Sequence, residues 1–326
     1  SKLGASLPNL YGGGASLEPL TGFTELLSAS YRAMLGALKE CADCGLEPSA
    51  RALREHAHLS PSEVALFFVC VVMWTELRRT LTAHVFEPFA WWCRIQPKDV
   101  AKLPESAWKL VFYTMSWSYS SYLLFFSSYT FFQDPPSVFY DWKSGMSVPT
   151  DIAIAYLIQG SFYGHSIYAT VYMDAWRKDS KVMVLHHIIT LALITFSYAF
   201  RSGQLLVFFE HVDSACSQVV SNLAFLFLYR FWFRLYWFPL KVLYASCISS
   251  QQTVPNIPFY LFFNTLLIAL LIMNIYWFLF IVMFVVKVLT GQMKEVSDVR
   301  EYEEENAQKP LQPKRDDNGH QDAGEG

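Results

Sequence analysis

Two adjacent histidines, His186 and His187, lie near the start of the apolar run Val182 to Phe200, VMVLHHIITLALITFSYAF. About 20 such residues cross the ~30 Å hydrocarbon core of a bilayer as one helix. Ionisable groups are costly there, so the pair marks a site or a deliberate interhelical contact. Neighbouring side chains on a helix point about 100° apart. Both rings can therefore face a bundle interior while Ile188, Leu191 and Ile194 meet lipid or other helices. Near neutral pH, imidazole can remove a proton or act as a nucleophile, which is the chemistry this pair suits. His165, beside Gly164 in a neighbouring apolar run, divides evenly between lining the same interior and packing helices together.

The composition sets the environment. With 53% hydrophobic and 17% aromatic residues, the chain is too apolar for an ordinary soluble domain pair and reads as a multi-pass, all-α membrane protein. No basic patch argues for nucleic acid. The cysteines are scattered, and Cys41-x-x-Cys44 has no second pair, so no metal site is expected. No Gly-rich phosphate loop points to a resident cofactor either. A charged leader followed by an apolar core is not seen, so the first span is expected to serve as the membrane signal.

Residues 1–62 carry only weak helical periodicity around Phe23 to Leu46 and are expected to form a loosely ordered extramembrane head. A first span occupies 63–82, with Arg78 and Arg79 at its cytosolic end, and 83–106 is a short cytosolic connection. From 107 to 290 the remaining spans follow, starting with Ala107 to Tyr129 and then Ile152 to Met173, the latter capped by Asp151. Gly160 and Gly164 let helices approach closely. Asp174 to Lys181 returns the chain to the cytosol before the histidine span. Leu205 to Cys247 must hold two spans in barely enough residues, and Glu210, His211 and Asp213 interrupt its first half. Ser246 to Pro258 has no Lys or Arg and is read as a luminal loop. After the last span, Phe259 to Val286, residues 291–326 are charged and aperiodic and form a disordered cytosolic tail. The N-terminus is then luminal and the C-terminus cytosolic.

These residues resemble the TLC-domain family, shared by translocation-associated membrane proteins, yeast longevity-assurance proteins and ceramide synthases. The signature is Leu185-His186-His187 followed by Thr190, Leu193, Ser197 and Tyr198. Flanking blocks match the ceramide synthases in particular: Asp134-Pro-Pro-Ser-Val-Phe-Tyr-Asp-Trp142, Gly160-Ser-Phe-Tyr-Gly-His165-Ser-Ile-Tyr168, Asp174-x-Trp176-Arg-Lys-Asp179 and Phe231-Trp-Phe-Arg-Leu-Tyr-Trp-Phe-Pro-Leu-Lys241. Many animal members carry a homeobox-like domain between the first two spans, and Arg78 to Glu105 is too short to hold one.

The resemblance implies a transmembrane barrel of about six spans plus one N-terminal span, resident in the endoplasmic reticulum membrane. It also implies transfer of a long-chain acyl group, stearoyl by this resemblance, from acyl-CoA as co-substrate to a sphingoid base, in an enzyme able to form homo- or heterodimers with other ceramide synthases. His186 or His187 would be base or transient acyl carrier, with Asp213 as the orienting acid. Substrate contacts are expected from His165, Tyr168, Tyr198 and His211, and CoA phosphates would meet Arg177, Lys178 and Lys181, which are also topology determinants. Chain length would be set by the loop holding Ser246, Ser249, Gln251 and Thr253. One segment departs from the family, around residues 203–228. There a His-Asp-x-x-Asp motif is expected, and the chain reads Phe209-Glu210-His211-Val212-Asp213-Ser214. A TLC protein without catalysis, binding lipid or modulating an intact synthase, is the alternative reading.

Overall fold

Ser60 and Pro61 begin the first long helix for local reasons. The Ser60 hydroxyl accepts from the Glu63 amide at 3.2 Å, and the Glu63 carboxylate accepts from the Ser60 amide at 2.7 Å, with proline in the first turn. Arg78 and Arg79 in the last turn complement the helix dipole at the other end. The computed structural model describes residues 22–39, 46–95, 100, 103–129, 146–200, 231–253 and 259–290. Their regular structure is entirely helical: α1 Phe23–Lys39, α2 Leu46–His56, α3 Pro61–Leu81, α4 Glu87–Trp92, α5 Leu103–Ser121, α6 Thr150–Tyr172, α7 Ser180–Ala199, α8 Phe231–Ser249, α9 Ser250–Thr253 and α10 Tyr260–Leu289. Wide turns with i to i+5 bonding, Thr82–Phe86 and Tyr122–Phe126, follow α3 and α5, and α8 has the same wide pitch with Pro239 inside it.

Two of these helices are long and apolar enough to cross a membrane, α7 and Tyr260–Lys287 of α10. A third candidate is the Pro61–Trp92 stretch joined to the end of α2 by a 95° bend. The protein is an integral membrane protein by these helices. α6 and α7, joined by a short connection, pack as an antiparallel pair; α3 lies on α6, and α10 closes against α7 and α8. One apolar core fills the space between α6, α7, α8 and α10, from Ile152 and Tyr163 to Leu193, Val242, Leu271 and Trp277. A second, aromatic knot of Trp108, Phe112 and Phe162, with Trp74 edge-on to all three, ties α3, α5 and α6 together. The Trp74 indole donates to the Ser161 hydroxyl at 2.9 Å, whereas the buried Trp108 Nε1 has no partner.

Several expectations change. Residues 23–39 are not a loose head: α1 is amphipathic and packs on α8 and α10, burying Leu26 completely. Asp151 is in the first turn of α6 rather than its cap, where Pro149 stands; its carboxylate accepts from the Tyr129 hydroxyl at 3.1 Å. The loop expected from Ser246 is helical through Thr253, because Ser246 and Cys247 bond to Asn264 of α10 and hold the chain in register.

The α3–α6 contact depends on missing side chains. A Cβ on Gly164 would sit 2.9 Å from Val71 Cγ2 and 3.3 Å from Phe67; on the α7 side of the same helix, one on Gly160 would sit 3.2 Å from Ile194 Cγ2. Val71 is β-branched and cannot swing aside. Gly164→Ala should therefore lower the thermal unfolding midpoint of the detergent-purified protein, by overpacking worth about 1–3 kcal/mol. Adding Val71→Ala should restore most of the loss. A Gly164→Ala protein that melts with the unaltered one would show that the helices separate freely.

Candidate active site

α7 carries the histidine pair because its sequence is apolar on every face except one seam. His186, His187, Thr190, Leu193 and Ser197 are buried along that seam, whereas Leu185 and Ile188 face outward. The two imidazole rings lie 5.7 Å apart between centroids. Tyr163 of α6 packs on both, at 5.5 Å from His187 and 6.4 Å from His186. From the opposite wall, Trp277 of α10 meets His186 edge-on at 5.1 Å. The Nδ1 atoms of both histidines are buried without a hydrogen-bond partner, as are Thr190 Oγ1, Asn274 Oδ1 and Trp277 Nε1. The charges acting on the pair come from neighbouring elements: Lys109 and Asp174 on His187, and Arg234 on His186.

His165 is buried too, but two residues on from Tyr163 it points to the other side of α6, toward α3 and α5. Its Nδ1 lies 3.0 Å from the Thr75 hydroxyl, and Trp108 packs edge-on at 5.8 Å. The Thr75 hydroxyl has one proton, which goes to the Val71 carbonyl at 3.0 Å. Its oxygen then accepts from Nδ1–H of His165, leaving Nε2 bare, and Nε2 is buried without a partner.

An ion-pair network covers the end of the bundle nearest the histidines. Arg78 of α3 and Asp174 after α6 form a short buried pair; Lys109 of α5 reaches Asp174 at 3.4 Å and Glu105 at 2.6 Å, and Arg177 joins Glu105 at 3.1 Å. Three cations and two carboxylates leave the cluster one positive charge in excess. It stands about 9 to 10 Å of helix rise above the histidines, counted from Ser180 to His186 and His187 at ~1.5 Å per residue.

The structure brings together His186 and His187 and sets Arg177 in the network above them. Lys178 and Lys181 are exposed at the same end. It does not bring Tyr198 or Tyr168 to the pair. Tyr198 lies roughly 17 Å further along α7 by helix rise, where its hydroxyl donates to Glu63 of α3. Tyr168 faces outward, 3.4 Å from Arg79. Ser246 and Ser249 are on α8, Gln251 is exposed on α9, and Thr253 ends that helix. Asp213 and His211 lie outside the described residues, as do Cys41, Cys44, residues 291–326 and the Asp134 to Trp142 block. Sequence reasoning missed Trp277, Asn274, Arg78, Lys109 and Glu105. A tryptophan and an asparagine three apart in the most apolar run of the chain were the readable signal for the first two.

The model of the TLC domain matches residues 102–212 and 207–283, together more than half of the chain. The chain belongs to the TLC-domain family. Within it, human ceramide synthase 1 is 52% identical over 316 residues, covering 89% of this chain and 90% of the human protein. Mouse ceramide synthase 1 is 53% identical with the same coverage. ASC1-like protein 3 of rice is 29% identical over 251 residues, 66% of this chain and 86% of the rice protein. Both pieces of the TLC match contain the histidine seam's walls, the first holding α6 and α7 and the second most of α10. The two pieces meet at residues 207–212, next to Asp213.

The buried pair at the end of this TLC bundle should be sensitive to loss of one partner. Asp174→Asn leaves Arg78 and Lys109 without their shared carboxylate. It should destabilise the protein by about 3–5 kcal/mol, seen as a lower melting midpoint. Glu76→Gln breaks the exposed Arg79 pair, whose side chains are 52% and 60% accessible, and should change it by under about 1 kcal/mol. Equal effects would show that the Arg78–Asp174 pair is not buried in the membrane-embedded protein.

Proposed function

We propose that this protein is a sphingoid-base N-acyltransferase, a ceramide synthase that takes a long-chain acyl group, stearoyl in preference, from acyl-CoA. The observation that carries the reading is the paired histidines, each with a buried Nδ1 that has no partner, inside a membrane bundle, in a chain half identical to ceramide synthase 1 over nine-tenths of its length. The name of those relatives supplies the product; the pair supplies the means.

Amide formation requires the sphingoid ammonium to lose a proton and its nitrogen to attack the thioester carbonyl carbon. The C–N bond forms as the C–S bond breaks, and CoA leaves as a thiolate. The ammonium's first proton goes to water; a neutral imidazole can take the second, which the nitrogen sheds as the amide forms, and return it to the thiolate, so that free CoA thiol departs. Alternatively the imidazole nitrogen takes the acyl group first, releases CoA, and is displaced by the amine. Either course suits His186 or His187, and Asp213 is the acid in the chain closest to the family's motif. The apolar core between α6, α7, α8 and α10 suits the aliphatic chains. Phosphates of CoA would meet the cationic end of the bundle, where Lys178 and Lys181 are exposed and Arg177 is shared with Glu105. The protein would sit in the endoplasmic reticulum membrane with that end cytosolic, as the excess of Lys and Arg requires, and could pair with itself or with other synthases.

A second reading is favoured by one observation. The family match comes in two pieces that overlap at 207–212, in the stretch where the resemblance leads one to expect the motif acids after the histidine span. A TLC protein lacking them would bind lipid, or modulate an intact synthase, without turning over.

Microsomes from cells lacking endogenous synthases, expressing this chain, separate the two. With sphinganine and a panel of acyl-CoA lengths, the expected outcome is ceramide formation with a preference for stearoyl-CoA. His186→Ala, His187→Ala and Asp213→Asn should each lower kcat by at least about 10²-fold, the lower end of what an acid–base group contributes. A membrane-inserted but inactive protein would establish the modulatory reading instead.

A further inference from the structure

The unpaired polar atoms around the histidines are not confined to α7. Asn274 and Trp277 are three residues apart on α10 and so share a face. Both are buried, and that face meets His186 through the 5.1 Å ring contact. On the α7 side, Thr190 is one turn from both histidines. Five polar atoms without partners thus line one seam between α7 and α10, amid leucines and methionines of the core. A buried donor or acceptor left unsatisfied costs about 1–3 kcal/mol. Elsewhere among the described residues such atoms are singles or a pair, Ser30 Oγ on α1 and Trp108 Nε1 with His165 Nε2 behind α6; five at one place mark where a polar part of a ligand belongs.

Their types say which part. An indole nitrogen is a donor only, so the group it awaits is an acceptor and not an ammonium. The acceptor on an otherwise apolar acyl chain is its carbonyl oxygen. Asn274 Oδ1 is an acceptor and awaits a donor, which in the same reaction is the amine or a hydroxyl of the sphingoid base. We infer that α10 supplies the second half of the site: Trp277 holds the acyl carbonyl oxygen beside His186, and Asn274 holds the polar head of the acyl acceptor. This rests on the acyl-transfer reading above. When a nucleophile attacks the carbonyl carbon, negative charge moves onto that oxygen, and a preorganised N–H is then worth more than in the ground state.

Trp277→Phe removes the N–H and keeps most of the ring. It is compared, in the full-length chain, with Trp117→Phe, which alters an outward-facing indole on α5. Steady-state acylation of sphinganine by stearoyl-CoA should fall about 10²–10³-fold in kcat for Trp277→Phe, with KM for stearoyl-CoA within a fewfold, and stay unchanged for Trp117→Phe. Asn274→Leu should instead raise KM for sphinganine with a smaller fall in kcat. Equilibrium binding of N-stearoyl-sphinganine, whose amide carbonyl occupies the same place, should weaken about fivefold in Trp277→Phe, one hydrogen bond's worth. Should that variant be lost from the membrane, the KM shift of Asn274→Leu carries the test in its place. Trp277→Phe within threefold of the unaltered protein in both kcat and product binding overturns the assignment. A chain that makes no ceramide, yet binds the product more weakly once Trp277 is Phe, sinks the transferase reading and keeps the assignment. Failure of the unaltered chain to bind product sinks both.

Discussion

An imidazole nitrogen without a hydrogen-bond partner is expensive inside a helix bundle bounded by hydrocarbon, and the helices from Thr150 to Leu289 surround two of them. That cost shapes what the rest must do. α7 can keep the pair only if every other face of the helix is apolar. The walls around it must be firm enough that the rings do not collapse onto some backbone carbonyl. Tyr163 and Trp277 provide firmness from two sides, Gly164 lets α3 back α6 closely enough to support Tyr163 from behind, and Gly160 lets Ile194 of α7 close on α6.

The ion-pair cluster solves a related difficulty at the bundle end. Arg78, Lys109 and Arg177 come from three different segments, and Glu105 and Asp174 bridge them. Separately, each charge at that depth would drag water inward. Linked, they fix the connection between α6 and α7 relative to α3 and α5, and so fix where α7 begins. The position of His186 and His187 below the ion-paired end of the bundle follows from that anchoring, since both lie within two turns of Ser180 on one continuous helix. A net positive charge remains, which suits a site whose donor substrate carries phosphates.

Much of this was legible in the sequence, for physical reasons that can be stated. The histidine pair stood out because hydrocarbon-length runs rarely tolerate ionisable groups, and the small residues of α6 stood out because close helix contacts need them. The first span is expected from residue 63, and the capping box that starts α3 just before it, Ser60, Pro61 and Glu63, is a local signal that sequence reasoning passed over. What stayed hidden depends on which segments meet. Lys109 and Asp174 are far apart in the chain, and nothing in either neighbourhood says that they touch. The docking of α1 on α8 and α10 was hidden for the same reason: amphipathicity shows that a face will be covered and not by what. Tyr198 shares the signature run of the histidines, but eleven residues of helix carry it to the far end, against Glu63.

α10 illustrates the limit most sharply. It is the more apolar of the two described helices that can each cross a membrane, so composition alone presents it as a plain membrane span. Asn274 and Trp277 are single polar atoms in that background, and either could have bonded locally, as Asn264 does with Ser246 and the Tyr260 carbonyl. Asn264 and Asn274 are ten residues apart on one helix. The first is fully satisfied and holds α8 and α10 together; the second is buried with its oxygen unpaired beside a tryptophan that touches His186. The same side chain thus does two jobs on one helix, and only the arrangement of neighbours tells them apart. Where an amide finds its partners within the fold it is glue, and where it finds none in a place the fold could easily have made apolar, it is kept for something that arrives from outside.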